Sequence, residues 1–400
     1  MFENIIGQEN VTESLRNACS RKELPSSLLF HGPDYSGKLS TALELARGLT
    51  CRGNAGAPWN CGCPSCAQHR LLIHPYTLMA GGRYFQDEID ASAAAFRRNG
   101  QTATRYLFVR SVRKLLRRYD PVFWEAKDPG LKKVQGTLAE LEERISLFHP
   151  DSGTDLSGKA LEKEIAKILE LSAAAAGNRT VDNISIDQIR RISVWAQETS
   201  DSPKVIILEN ADRMLESARN ALLKILEEPP ARVTFILLTG RKGGIMPTIL
   251  SRVRPYLFAP RNEEESGQVL TRIFREESGE YRDLREFFLA WNVNLEKIRK
   301  GVHLFLEGLE NREPLNRENL EELFGKAQEG RKPFRIFLQE IQTVFARKYP
   351  PEVLAADPVL AERLGRWSAL FREALSGCEL YNQSPALLAE GLYYAMRGNS

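Results

Sequence analysis

The sequence lacks several features that would place it at once in a protein class. It has no apolar run of the roughly 18 residues that a membrane-spanning helix needs, and no charged-then-apolar signal segment. The net charge is only +3 over 400 residues, so a nucleic acid would have to be bound by local patches. Internal repeats and low-complexity tracts are absent too. We therefore expect a soluble, cytoplasmic chain of two or three globular domains, with no membrane partner.

Cysteine is scarce, and most of it is concentrated in one place. Four of the six cysteines lie between positions 51 and 66, as Cys51, Cys61, Cys63 and Cys66. In a reducing compartment such a cluster favours tetrahedral thiolate binding of a structural zinc ion over disulfides. The Cys-Gly-Cys spacing is tighter than the usual two-residue knuckle, which leaves His69 as an alternative ligand. Four reduced cysteines in a loop are the other interpretation.

A short glycine-containing stretch follows the pattern of a phosphate-binding loop. Gly32, Gly37 and Lys38 match G-x4-G-K, in which backbone N–H groups surround the phosphates and the lysine reaches the outer ones. The next position should supply a hydroxyl for Mg²⁺, but it holds Leu39. Ser40 follows one residue later, about 100° away around a helix. The loop is therefore expected, whereas the binding of ATP and Mg²⁺ stays open.

Three apolar stretches predict buried strands of a parallel sheet, at residues 27–31, 205–208 and 233–239. The second stretch ends in Glu209 and Asn210. In an active P-loop ATPase the acid at this position holds Mg²⁺, and a following glutamate polarises the attacking water. Glu209 keeps a carboxylate, but Asn210 cannot act as a general base because an amide takes up no proton near neutral pH. A polar strand end without chemistry is the alternative.

These motifs resemble the AAA+ clamp-loader subunits of bacterial DNA polymerase III, and most of all the delta-prime subunits. The matching segments are residues 2–9, 29–33, 74–78, 205–214, 220–230 and 248–252. The resemblance implies an α/β AAA+ P-loop fold, a parallel sheet flanked by helices. Its domains would be a RecA-like domain at 1–261 with the zinc module at 51–66, a helical lid at 262–310 and an all-α C-terminal collar domain at 311–400.

The resemblance also implies roles for single residues. Arg252 matches the arginine finger that reaches the ATP of a neighbouring subunit, where a guanidinium neutralises charge on the transferred phosphoryl group. Thr239 matches the position called sensor 1, near the γ-phosphate. The alternatives are a simple salt bridge for Arg252 and an ordinary strand residue for Thr239. The remaining candidate contacts to nucleotide and metal are Gly32, Gly37, Lys38, Ser40 and Glu209.

Residues 82–183 do not match the family pattern, and we expect a helical insertion of two or three helices there. Its first part, 96–119, carries eight arginines and lysines and no acid, with apolar residues at helical spacing. This pattern predicts one amphipathic basic helix on a helical hairpin. Its basic face would bind DNA or a partner, or would simply be solvated, and we favour the solvated face.

Two functions agree with these residues. The first is a delta-prime-like stator with little or no ATPase of its own. It would complete a hetero-oligomeric ring with gamma/tau-like and delta-like subunits, supply Arg252, and support loading of the sliding clamp on primer–template DNA. The second is an ATP-hydrolysing gamma/tau-like subunit. Leu39 and Asn210 favour the first. So does the lid, which in AAA+ proteins carries an arginine that senses nucleotide but here offers only Arg299 and Lys297 as weak candidates. The subunit would be part of the DNA-directed DNA polymerase holoenzyme in DNA replication.

Overall fold

The chain divides into two compact units, Met1–Trp291 and Asn292–Ser400, in the computed structural model. The structure describes residues 1–53, 56–82, 85–125, 127–150, 157–177, 183–277, 281, 283–291, 293–325, 330–379 and 381–398. The boundaries expected for a lid at 262–310 and a collar domain at 311–400 stay a prediction.

A parallel sheet organises the first unit. Its strands are β1 (Ser27–His31), β2 (Thr77–Ala80), β3 (Lys204–Leu208), β4 (Val233–Thr239) and β5 (Arg254–Leu257). All five are parallel, in the order β2-β3-β4-β1-β5 across the sheet. The strands β1, β3 and β4 are almost wholly buried, which confirms the prediction from their apolar runs. Because the strands are parallel, the loops after β1, β3 and β4 meet at one edge, where α/β proteins bind ligands.

Helices cover both faces of this sheet and form the insertion. In chain order they are α1 (Glu9–Ser20), α2 (Lys38–Thr50), α3 (Pro64–Arg70), α4 (Phe85–Asn99), α5 (Thr102–Leu116), α6 (Pro129–Ser146), α7 (Gly158–Ala176), α8 (Ile186–Gln197), α9 (Glu216–Glu227), α10 (Pro247–Leu250), α11 (Glu263–Val269) and α12 (Leu284–Ala290). On one face Leu28 and Phe30 share an apolar core with Leu43 of α2. On the other, Leu29 packs in a core with Leu222 of α9. This alternation along β1 follows from the two-residue period of a strand.

The insertion has an apolar core of its own, in which Phe96, Phe108 and Phe148 pack together with centroid distances of 5.5 to 6.2 Å. Its described residues form four α-helices, α4 to α7, so the expectation of two or three was too low. The single helix predicted across 96–119 was also wrong, because α4 and α5 are joined by a turn at Gly100 (φ 57°). Glycine suits that left-handed conformation because it has no Cβ.

The second unit is entirely helical in the part that the structure describes. Its helices are α13 (Leu295–Asn311), α14 (Arg317–Phe324), α15 (Arg331–Lys348), α16 (Pro351–Ala356), α17 (Pro358–Glu379) and α18 (Pro385–Gly398). Phe305 lies at its centre, with ring centroids of Phe337 and Tyr393 at 5.3 and 5.2 Å. None of the described helices in either unit is both long and apolar enough to span a bilayer.

Candidate functional site

The phosphate-binding loop joins β1 to α2 at the carboxyl edge of the sheet, as the sequence predicts. Gly32 has a φ of 149°, and a Cβ there would collide with the carbonyl oxygen of Phe258, so this position needs glycine. The Nζ of Lys38 donates to the carbonyl oxygens of Gly32, at 2.6 Å, and of Pro33. Burial lowers the pKa of Lys38, against the attraction of three nearby carboxylates. The lysine thus binds the backbone of its own loop.

The residue after this lysine is turned into the core. Leu39 is 8% exposed and belongs to the same apolar cluster as Phe30. Ser40 is exposed, and the hydroxyl of Thr41 donates to the carbonyl of Gly37 at 3.0 Å, within α2. The position that supplies a hydroxyl to Mg²⁺ in P-loop enzymes therefore holds a buried apolar side chain.

Arg261, which sequence reasoning missed, lies over the same loop. Its Nε donates to the carbonyl of Ile6 at 3.0 Å, and its Nη1 donates to the carbonyl of Tyr35. A Cβ on Gly37, whose φ is 94°, would collide with the Arg261 guanidinium. Burial lowers the pKa of Arg261. No motif includes this position, so its partners would have been visible only in a three-dimensional structure.

Glu209, the candidate metal ligand at the end of β3, forms an ion pair with Arg118 of the insertion. Arg118 lies in the 3-10 turn that follows α5, and its side chain is 1% exposed. Asn210 adopts a left-handed conformation and its amide donates to the carbonyl of Gly82. Mg²⁺ needs an octahedron of oxygen ligands, which a buried Leu39 and a carboxylate already paired with a guanidinium do not provide. The residues at this site therefore do not fit Mg²⁺.

Thr239, the candidate sensor, closes a polar network at the end of β4. Its hydroxyl donates to Oδ1 of Asp212 at 2.7 Å and accepts the backbone N–H of Arg241 at 2.9 Å. The Arg241 guanidinium pairs with the other Asp212 oxygen at 3.1 Å. Thr239 is 1% exposed, and its hydroxyl is engaged within the protein.

Arg252, the candidate arginine finger, lies at the surface just after α10. Its Nη2 is 2.7 Å from Oε1 of Glu227, at the end of α9, and its Nη1 donates to the carbonyl of Thr248 at 2.7 Å. The side chains of Arg252 and Glu227 are 32% and 50% exposed. An exposed pair of this kind contributes only about 0–1 kcal/mol, so a phosphate could replace Glu227 with little loss.

The four clustered cysteines come together in space. The Sγ atoms of Cys51, Cys61, Cys63 and Cys66 all lie within 4.8 Å of one another, and Cys51 is 3.7 Å from Cys61 and 3.9 Å from Cys63. Tetrahedral zinc, with Zn–S bonds of about 2.3 Å, requires S···S separations of about 3.8 Å. Two of these separations match that value, so the four cysteines could hold a zinc ion in spite of the tight Cys-Gly-Cys step.

Comparison with known proteins relates this chain to subunits of clamp loaders. A family model described as "DNA polymerase III, delta subunit" matches residues 152–262. Replication factor C subunit 3 of Blastobotrys adeninivorans is 31% identical over 140 residues, which cover 33% of this chain and 40% of that protein. The DNA polymerase III subunit delta' of Haemophilus influenzae is 36% identical over 84 residues, 20% of this chain and 26% of that one. The tau subunit of Bacillus subtilis is 24% identical over 259 residues, 64% and 29% of the two chains.

The chain resembles clamp-loader AAA+ subunits. Its five-stranded parallel sheet flanked by helices matches that fold. The chain spans less than half the length of each of the three relatives described above.

Three arginines of α5 and of the turn that follows it point inward. Arg110 donates to the carbonyls of His69 and Arg70 at 2.9 and 3.0 Å, and Arg113 donates to that of Leu71 at 3.1 Å. Arg117 donates to the carbonyls of residues 74 and 77. These acceptors lie between the end of α3 and the first residue of β2. The expectation of a solvated or DNA-binding face was therefore wrong for these arginines, which hold the insertion on the sheet domain.

His69, the alternative metal ligand, is part of a different network. Its Nε2 lies 2.7 Å from Oγ1 of Thr50, and its ring stacks on His74 with the centroids 4.1 Å apart. Burial, together with the positive charges nearby, lowers the pKa of His69 to about 2 and that of His74 to about 4. Both imidazoles are therefore neutral, and His69 is not part of the group of four cysteines that could hold a metal ion.

Proposed function

We propose that this chain is a delta-prime-like subunit of a DNA polymerase III clamp loader that turns over little or no ATP. The observation that carries the proposal is the buried side chain of Leu39, which leaves no hydroxyl for Mg²⁺. Asn210 in place of a catalytic glutamate removes a second group. Groups of this kind are each worth on the order of 10²–10³ in rate, so their joint loss would leave negligible hydrolysis.

The subunit would act as a stator in a cytoplasmic, hetero-oligomeric ring with gamma/tau-like and delta-like subunits, and would support loading of the sliding clamp on primer–template DNA. Arg252 would leave Glu227 and reach the ATP of the neighbouring subunit. Its position at the surface and its weak, exposed ion pair support this role. The guanidinium suits it because it stays charged and binds phosphate oxygens in pairs.

The cysteine cluster would hold a structural Zn²⁺ through Cys51, Cys61, Cys63 and Cys66. The backbone amides of Gly53 and Cys66 donate to the sulfurs of Cys51 and Cys63, both at 3.4 Å, which stabilises thiolates. Four protein ligands leave no open coordination position, as in structural rather than catalytic zinc sites. The ion would connect the end of α2 to α3.

An ATP-hydrolysing, gamma/tau-like subunit is the second candidate, because the match to the Bacillus subtilis tau subunit extends over 64% of the chain. ATP turnover by the full, zinc-loaded chain separates the two. We expect less than about 0.1 per second, against the order of 10 per second of a typical enzyme, and no change in the Lys38→Ala variant. Faster turnover that Lys38→Ala abolishes would establish the gamma/tau-like alternative.

A further inference from the structure

The insertion contacts the nucleotide cleft at two places. One is Glu209 at the carboxyl edge of the sheet. The other is the lid segment, by which we mean residues 263–277 and 283–291, which contain α11, the π-helical stretch Leu270–Phe274 and α12. In P-loop ATPases these are the places where the metal ion and the closing lid act on the bound nucleotide. Here α4, α5 and the turn after α5 occupy both.

At the metal position the contact is electrostatic. The buried guanidinium of Arg118 pairs with the Glu209 carboxylate, and it also lies over the ring of Phe85, 5.5 Å from the centroid. Phe85 begins α4 and Arg118 follows α5, so this one arginine connects α4 and α5 to the end of β3. The positive charge of Arg118 compensates the negative charge of this little-exposed carboxylate, as a bound divalent cation would.

At the lid segment the contact is both ionic and apolar. Arg98, near the end of α4, pairs with Glu276, whose side chain is 1% exposed, and its guanidinium lies 5.5 Å from the Trp291 ring centroid. Ala91 and Leu107 of the insertion pack in one apolar cluster with the lid segment. The insertion is thus bound to the lid segment by a buried charge and by continuous apolar packing.

The same cluster extends to the phosphate-binding loop. Ile6 belongs to it, and Tyr35 of the loop packs against it and stacks on Phe288 of α12 with the ring centroids 5.3 Å apart. Arg261 completes the connection by donating to the carbonyls of Ile6 and Tyr35. Loop, lid segment and insertion therefore form one packed layer.

We propose that the α4–α5 hairpin replaces the metal-bound nucleotide as the bridge between the sheet and the lid segment. Arg118 takes the place of the divalent cation at Glu209, and Arg98 with the apolar cluster holds the lid segment without nucleotide. This deepens the proposed function, because it assigns a role to the insertion at that same site. Its tests measure amide exchange, so they are independent of ATP turnover and of the role of Arg252.

The first test needs no substitution. Amide hydrogen exchange of residues 263–277 and 283–291 is measured in the zinc-loaded full chain, with and without ATP and Mg²⁺. We expect strong protection without nucleotide, and a change of less than about twofold when nucleotide is added. An increase in protection of about tenfold or more on adding ATP would overturn the proposal, since the nucleotide would then be the bridge.

The second test addresses the lid contact. Arg98→Gln should speed exchange in the lid segment by about tenfold, because it leaves Glu276 buried without its cation. Arg97→Gln is the matched control, since Arg97 is the preceding residue but pairs with Glu162 inside the insertion, at 3.0 Å. Equal rates of amide exchange in the lid segment of the two variants would contradict the proposal that the α4–α5 hairpin holds this segment.

The third test asks whether Arg118 stands in the place of a metal ion. Arg118→Met should speed exchange at residues 204–210, and adding Glu209→Gln should restore much of the protection because no unpaired charge remains. Simple additivity of the two substitutions would reject this role.

Discussion

Arg47 of the phosphate-binding-loop helix donates a hydrogen bond from Nη1 to the Sγ of Cys66, at 3.4 Å. Arg47 is 1% exposed, and Glu44 pairs with it at 2.8 Å. On the other side its guanidinium lies 5.5 Å from the ring centroid of Trp59, which Arg110 of the insertion approaches at 5.8 Å. The helix that follows the phosphate-binding loop, the cysteine cluster and the insertion are therefore connected through one buried arginine.

Replacing Arg47 by Met should weaken zinc binding. Four thiolates around Zn²⁺ leave a net negative charge, which the guanidinium balances, and partners of metal ligands are typically worth about 10–100-fold in metal affinity. Competition against a chromophoric chelator measures this loss. Arg52→Met is the control, because Arg52 lies in the same module but is 59% exposed and pairs with Asp201. Equal zinc affinity of both variants would exclude the role of Arg47.

Replacing Lys38 by Met should lower stability more than it changes nucleotide affinity. The Lys38 ammonium binds carbonyls of its own loop, and hydrogen bonds of a charged group contribute about 2 kcal/mol. Denaturant unfolding and a nucleotide titration measure the two effects. Lys224→Met, on the exposed face of α9, should change neither. A lost nucleotide affinity with unchanged stability would show instead that the lysine serves a bound phosphate.

Replacing Arg252 by Ala should lower ATP turnover of a reconstituted loader by at least about tenfold, since arginines supplied in trans are worth 10³–10⁵ in related phosphoryl transfer. Arg254→Ala removes an exposed arginine two residues further on and should leave the rate unchanged. Glu227→Gln should not slow the loader, because it only releases Arg252 from its surface partner. A loader with Arg252→Ala that works at the normal rate would disprove the trans role.

Acid should destabilise the protein through His69. Burial lowers its folded-state pKa to about 2, whereas an unfolded histidine titrates near about 6.5. Below about pH 6.5 the unfolded chain therefore binds a proton that the folded chain does not bind. The free energy of unfolding then decreases as the pH is lowered, by at most about 1.4 kcal/mol per pH unit. His69→Gln removes this titration and keeps an N–H near Thr50. Its loss of stability from pH 7 to 5 should be smaller, and parallel curves would contradict the assignment.

The sheet and its motifs were predictable because their signals are local. The strand predicted at 233–239 has those bounds in the structure, and the one at 27–31 does too. A strand buried on both faces is apolar at every position, so its extent is visible in a short window. The cysteines were predictable for the same reason, because three of the four lie within six residues, from 61 to 66.

The basic helix was misjudged because its partners leave no trace in the sequence. Arg110 binds main-chain carbonyls 40 and 41 residues away. Every residue has a carbonyl, so the composition of α5 looks the same whether its arginines face water, DNA or a loop of the same chain. Buried guanidinium groups need several acceptors, and a helix C-terminus with its following loop supplies them.

The sequence by itself determined the parallel α/β framework, the phosphate-binding loop with Leu39 in place of a hydroxyl, and the clustering of four cysteines. Only the tertiary structure decided what occupies the cleft: Arg118 pairs with Glu209, 91 residues away, and Arg261 reaches the loop across 226 residues. Periodicity and motif spacing record what lies within one or two turns of chain. The pairing of distant charges depends on how whole elements pack, because a charge acts on whatever the fold places beside it.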